Sequence, residues 1–299
     1  MPAQTRLLTA SGTVLALALA AVGVAPSAHG ANLVPSLSPA LVSAVPRPLT
    51  KALPAALDVK TPYEGQVSCD PRPKPGLTAF AALMKARYKS GAVGTYRPCL
   101  GDVSEHYDSR AMDWMLSASN PGQKAIATSV ITWLSANGGA VARRFGISYI
   151  IFNKKVWKEY RTPTGWTTYT GADPHTSHVH ISFSWDGAMK RTSWWTGKAT
   201  RVVDRGPCRV YAGQFAPLYT KIRTTACPTK LAAAPVSRYK VAVYGQKSAQ
   251  IALAQKTLKV TADGAFGSKT FNALVVWQRG RVPVTGVLDK ATWVKMGRR

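Results

Sequence analysis

The chain has five histidines in 299 residues, and four of them fall in two short stretches, 104–116 and 173–184. A fold in which these four act together must bring two distant stretches face to face. The first reads Ser104-Glu105-His106-Tyr107-Asp108-Ser109-Arg110-Ala111-Met112-Asp113-Trp114-Met115-Leu116, and the second runs from Asp173 and His175 through His178 and His180 to Ser184. Imidazole nitrogens with a carboxylate oxygen form a zinc ligand set, and three such ligands with one open position make a catalytic rather than a structural site. The expected metal ligands are therefore His106, Asp113 and His180, and the expected ion is Zn(2+). Polarity alternates from residue 178 onward, with Val179, Ile181 and Phe183 on one side and His178, His180, Ser182 and Ser184 on the other. That period of two predicts a strand with one face on a core and both imidazoles toward a cleft. A single histidine there would read as a satisfied polar residue on an exposed face. H-x-x-H-x-H with a distant H-x6-D reads as a site.

The remaining composition sets the compartment. Arg6, an apolar run from Thr13 to Val24, Pro26 and then Ala28-His29-Gly30 predict a secretory signal peptide over 1–30. The apolar run falls short of the roughly 20 residues a membrane span needs, and no other span is evident. The expected mature protein is secreted, without a transmembrane segment, and a monomer. Cys69, Cys99, Cys208 and Cys227 are an even set with no C-x-x-C pair, which favours disulfides in an oxidising compartment. Of the three possible pairings, Cys69–Cys99 with Cys208–Cys227 is preferred because each pair brackets one local segment. Loops of that size are worth roughly 3 kcal/mol each. The formal charge of +26 draws a protein to polyanions. Outside a cell these are wall polymers or glycans. No basic run is interleaved with aromatics and no DNA-binding motif occurs, so nucleic acid is not an expected partner.

Residues 31–66 are rich in proline and alanine without a clear period and read as an irregular linker. The first domain is placed at 67–200. It starts with an apolar stripe at helical spacing, Leu77, Phe80, Leu83, Met84 and Tyr88, and a short strand over 94–97 follows. Asn120-Pro121 opens a helix as cap and first residue, and Gly138-Gly139 ends it. A shorter helix through Val141 and Phe145 stops at Gly146, and Ile147–Phe152 reads as a buried strand that turns at Asn153-Lys154-Lys155. Residues 201–238 form a disulfide-tied segment that passes into a linker at Pro228–Ser237. Residues 239–299 carry the marks of a small helical bundle: Ala249 to Leu258, a turn at Asp263-Gly264, Thr270 to Trp277, a turn at Val284-Thr285-Gly286, and a last helix from Thr292. Phe266, Trp277 and Trp293 could stack on sugar, but in so small a bundle they read first as core. A bundle of this size suits binding better than catalysis.

Ser104-Glu105-His106 with Ala111-Met112-Asp113, then His178-Val179-His180, resembles the zinc peptidases that cut D-amino-acid bonds in bacterial cell walls. These are the D-Ala-D-Ala carboxypeptidases and dipeptidases with their lysostaphin-type relatives, whose fold the Hedgehog signalling domain shares. Tyr96-Arg97-Pro98 resembles the segment that supplies a substrate-polarising arginine in the carboxypeptidase branch. The paired cysteines and Pro-His-Thr-x-His-x-His look closest to a secreted actinobacterial subgroup. Asp263-Gly264-Ala265-Phe266-Gly267-Ser268-Lys269-Thr270 with Val275-Val276-Trp277-Gln278 resembles the three-helix peptidoglycan-binding domain. The resemblance implies an α+β domain, a small antiparallel sheet with flanking helices, followed by a three-helix bundle. It implies a secreted zinc metallopeptidase, a DD-carboxypeptidase or endopeptidase associated with the cell wall, with peptidoglycan and anionic wall polymers as partners.

Two positions depart from the pattern. Ser109 stands where the family often has glycine, and Ser177 stands where the carboxypeptidase branch has its glutamate base. His178 is then the expected base or stabiliser of the intermediate, and Arg97 the expected holder of a carbonyl or carboxylate. His175, Asp173 and Ser104 are candidates for orienting the ligands, while Glu105 and Asp108 read as solvated loop residues. Two other readings compete: a non-catalytic wall-binding protein with a degenerate zinc domain, and an extracellular polyanion binder supported by charge alone.

Overall fold

The computed structural model describes residues 45–101 and 103–299. The signal peptide expected over 1–30 and the first part of the expected linker, 31–44, lie outside the described residues. From residue 45 the linker is irregular, as its prolines require, yet it is no free tether. Val45, Leu49 and Leu53 pack on the main core. Arg144 donates to the carbonyl of Pro54 at 2.7 Å. Buried Asp58 accepts from the N–H groups of Ser193 and Thr200, both at 2.9 Å. Residues 45–66 are thus a strap fastened along the first domain.

Helix α1, Pro75–Tyr88, opens on proline, whose missing N–H costs nothing at a helix start. It buries Leu77, Phe80, Met84 and Tyr88. Strand β1 is only Val93–Gly94, shorter than expected, because Tyr96 and Pro98 turn away to meet Tyr244 and Gly245 of the C-terminal unit. A 3-10 turn, Glu105–Asp108, leads into β2, Ala111–Trp114. Helix α2, Pro121–Phe145, is capped by the Asn120 side chain, which accepts from the N–H of Gln123 at 3.0 Å. It leaves helical geometry at Ala136–Gly139, where Asn137, Gly138 and Gly139 are left-handed, so two helices meet where Gly138-Gly139 predicted an end. By length and composition alone α2 could cross a membrane. The break splits it, and its Ala127, Val130, Ile131 and Leu134 face lies in the core.

Strands β3 (Ile147–Phe152), β4 (Lys155–Lys158), β5 (Trp166–Thr168) and β6 (Val179–Phe183) complete a six-stranded antiparallel sheet in the order β1-β2-β6-β3-β4-β5. Directly opposed residues on neighbouring strands point to the same face. Met112 opposite Ile181 therefore feeds the core, and Asp113 opposite His180 faces the other way. On the core side Phe80 meets Phe145 and Phe183 edge-on, at 4.9 and 5.5 Å between ring centres.

Short helices α3 (Trp185–Ala188) and α4 (Ser193–Thr196) follow. The stretch 201–238, expected to be disulfide-tied and to end in a linker, is a staple along its whole length. Disulfides join Cys69 to Cys99 and Cys208 to Cys227. Fully buried Asp204 accepts from Tyr219 Oη at 2.5 Å and from the N–H of Gly206 at 2.9 Å, and pairs with Arg191. Asp186 takes Arg191 Nε at 3.0 Å and the N–H of Asp204 at 2.9 Å. Pro228–Ser237 is tied down as well: the N–H of Ala212 donates to Ala232 O at 2.9 Å, and Ser237 Oγ to Arg298 O at 2.8 Å.

The C-terminal unit holds α5 (Ala249–Leu258), α6 (Ser268–Gln278) and α7 (Lys290–Lys295) around Ile251, Phe266, Phe271, Leu274, Leu288 and Trp293. Two buried amides brace its turns. Gln255 Oε1 accepts from the N–H of Gly264 at 2.8 Å, and Gln278 Oε1 from that of Gly286 at 2.9 Å. Phe266 and Trp293 are core residues, and Trp277 packs at the edge of that core.

Candidate metal centre

His106 is presented by the 3-10 turn. Ser104 Oγ caps that turn by accepting from the N–H of His106 and also accepts from Arg97 at 3.1 Å. Ser104 thus steadies the backbone of His106, not its ring. Ser109 closes the turn at φ 52°, in the left-handed region where glycine is unstrained. Its hydroxyl offsets the strain by donating to Asp70 O at 2.8 Å. Asp113 and His180 face each other across β2 and β6.

The three expected ligands converge. His106 Nε2 lies 3.1 Å from Asp113 Oδ1 and 3.2 Å from His180 Nδ1, and His180 Nδ1 lies 3.0 Å from Asp113 Oδ1. Zinc–ligand bonds of about 2.0–2.1 Å in a tetrahedron set donors about 3.3–3.4 Å apart, so this triangle has the right size. Both histidines are buried and Asp113 is partly open. Burial pushes the Asp113 carboxyl up, but hydrogen bonds from His106 and His180 outweigh it and hold the group well below the usual carboxylate range. Burial lowers His180 to about 4, against the opposing pull of Asp113. A neutral imidazole beside an ionised carboxylate is the state a cation requires.

His180 is held from behind. Its Nε2 lies 2.9 Å from Ser182 Oγ and 3.3 Å from Tyr149 Oη, and the Tyr149 ring stacks on it at 5.3 Å. Tyr149 Oη donates to Glu105 at 2.5 Å, and Tyr63 Oη donates to the other oxygen of Glu105 at 2.8 Å. This arrangement leaves Nε2 of His180 to donate and Nδ1 free to ligate. His106 has no such support among the described residues: its Nδ1 is buried without a hydrogen-bond partner there, and its ring rests edge-on against His180 at 5.0 Å.

Glu105 and Asp108 are not solvated, contrary to the sequence expectation; both are buried. Burial raises the Glu105 carboxyl, but the charge of Arg110 and the two tyrosine hydroxyls hold it below the ordinary value. Asp108 accepts from the N–H of Ser68 at 3.0 Å, from the Ser68 hydroxyl, and from Arg110 at 3.1 Å. Arg110, itself fully buried, stacks on Trp185 and donates to Phe183 O at 2.8 Å. Sequence reasoning missed Tyr63, Tyr149 and Arg110, and gave Ser182 no role. The available signal was the period of β6, which already placed Ser182 beside His180.

His178 stands beside the cluster. Its Nε2 is 3.5 Å from Asp113 Oδ1, and Ser177 Oγ meets its Nδ1 at 3.0 Å. Ser177, in the position expected of a glutamate base, instead orients His178. Asp173 and His175 gather around His178: Asp173 Oδ2 is 4.0 Å from His178 Nε2, and the His175 and His178 rings lie 4.8 Å apart. The His175 ring also rests edge-on against His180 at 5.5 Å. Arg97 is exposed and its recorded partner is Ser104.

The chain is similar to two protein families along separate parts of its length. The family model described as the VldE C-terminal domain matches residues 69–180, which takes in His106, Asp113, His178 and His180. The model of a peptidoglycan binding domain matches residues 246–296, the bundle of α5 to α7. Neither description names a zinc peptidase. No curated protein and no solved structure matches the chain. The likeness of the C-terminal unit to a peptidoglycan-binding domain, with two disulfides in the chain, is consistent with an extracellular protein associated with the cell wall.

Proposed function

We propose that the chain is a secreted zinc-dependent peptidase that hydrolyses D-amino-acid-containing bonds in the stem peptide of peptidoglycan. The observation that carries this reading is the convergence of His106 Nε2, Asp113 Oδ1 and His180 Nδ1 at 3.0–3.2 Å beside a further imidazole. These three residues would hold the ion. Bound zinc supplies a Lewis acid and makes water a competent nucleophile near neutral pH. His178 Nε2, oriented by Ser177, would take the proton from that water and return it to the leaving amine. Arg97 would clamp a substrate carboxylate with its planar fork. Glu105, through Tyr149, keeps His180 in the tautomer that presents Nδ1. The peptidoglycan-binding likeness of 246–296 and the charge of +26 support a negatively charged wall as the place of work.

The test is release of peptide from purified peptidoglycan by the full chain, followed by mass spectrometry. We expect release that stops with a chelator and returns with zinc, and one tight equivalent of zinc that disappears in His106→Ala and His180→Ala. Tight zinc binding without peptide release from any of several wall types would leave the non-catalytic wall-binding reading in place. Absence of tight zinc would overturn the site itself.

A further inference from the structure

A second group of donors borders the first. Asp173, His175 and His178 each direct one ligand-type atom to within 4.8 Å of the others. His175 Nδ1 lies 2.6 Å from the carbonyl oxygen of Asp173. A carbonyl only accepts, so the proton sits on Nδ1, and Nε2 of His175 carries a free lone pair. The N–H of His175 donates to Asp173 Oδ1 at 2.9 Å, which leaves Oδ2 toward His178. The turn carrying these residues is pinned to the sheet. The N–H of Asn153 donates to His175 O and that of Lys154 to Pro174 O, both at 2.8 Å. The Tyr169 ring sets the His175 ring from the side, edge-on at 5.2 Å.

We infer that Asp173, His175 and His178 form a second, weaker divalent-cation site whose occupation silences the first. Two imidazoles and a carboxylate suit zinc. Asp173 is largely solvent-exposed, with 59% of its side chain accessible, against 15% for Asp113. An ion held there keeps more of its water and leaves more easily. The consequence follows from His178 Nε2. The lone pair that takes a proton in the proposed reaction is the one a second ion would coordinate, and one imidazole nitrogen cannot do both. The inference therefore rests on the peptidase reading for its effect on rate, but not for the existence of the site.

Equilibrium dialysis of the metal-free full chain against zinc, with metal measured by atomic absorption, tests it. We expect one tight equivalent and a second at higher zinc, and peptide release that rises with the first and falls about 100-fold as the second saturates, the scale on which a positioned general base contributes. Asp173→Asn and His175→Ala should keep the tight equivalent and lose the second, and whatever rate each shows with the first equivalent bound should no longer fall at higher zinc. His106→Ala should lose the tight equivalent and keep the weak one. Wild-type chain that stops at one equivalent, or the two variants still binding two, would overturn the second site. No tight equivalent at all would instead sink the peptidase reading. Circular dichroism of each variant separates loss of a site from loss of fold.

Discussion

At the scale of single residues, Ser109 shows how the ligand turn is held. A left-handed backbone costs a residue with a Cβ roughly 1–2 kcal/mol, and Ser109 bears that cost at φ 52° while its hydroxyl serves the buried carbonyl of Asp70. Ser109→Ala removes the donor and keeps the strain, so we expect a loss of about 1–3 kcal/mol. Ser109→Gly removes the donor and relieves the strain, and should lie above alanine by about 1 kcal/mol. Urea unfolding of the three chains checks the order: alanine at or above glycine would mean that the turn carries no strain, and alanine equal to serine that the hydroxyl contributes nothing. The same turn marks the limit of what single residues reveal in sequence. That His106, Asp113 and His180 come together was legible because histidines are few and those of β6 are periodically spaced. Glu105 and Asp108 were not, because their burial depends on Tyr63, Tyr149, Ser68 and Arg110, which local spacing does not place next to them.

At the scale of elements, propensity and period were enough for most of the first domain. Pro75 and Asn120-Pro121 marked two helix starts, and the alternation of 178–184 marked the central strand. The short β1 was misjudged, since Tyr96 and Pro98 answer to a partner in another unit. The break in α2 gives a prediction at this scale. Gly138 and Gly139 share the left-handed conformation, but a Cβ at 138 meets nothing within 4 Å, whereas one at 139 would come within 2.5 Å of the Trp157 ring. Gly138→Ala should therefore cost about 1–2 kcal/mol for the backbone alone. Gly139→Ala should add the overpacking cost of about 1–3 kcal/mol and displace Trp157. Denaturation midpoints with tryptophan fluorescence separate the two, and equal losses would mean that α2 does not lean on β4 through this glycine.

At the scale of the whole molecule, the joint between the two units was invisible in sequence, because it is built from residues that each read as local. Val243 and Val287 of the bundle pack with Tyr107 and the Cys69–Cys99 disulfide. Tyr244 meets Tyr96, and a Cβ added at Gly245 would come within 3.0 Å of Pro98. Leu218 of the 201–238 staple sits in the core of the bundle, while Ala216 donates to Val67 O at 2.8 Å. Two cores joined through buried residues of both units unfold together, which predicts a single cooperative transition by calorimetry. Tyr96→Ala with Leu218→Ala thins the joint without altering a strand or helix of either unit. Loss of the buried leucine alone costs about 2–5 kcal/mol, taken from the bundle's core and from its tie to the staple. The double variant should therefore show two resolved transitions, the bundle melting first, since a core of its size stands alone only marginally. A wild-type chain that already melts in two steps would mean that the bundle is a tethered module. The segment carrying Arg97 would then keep no fixed place relative to a wall strand held by the bundle.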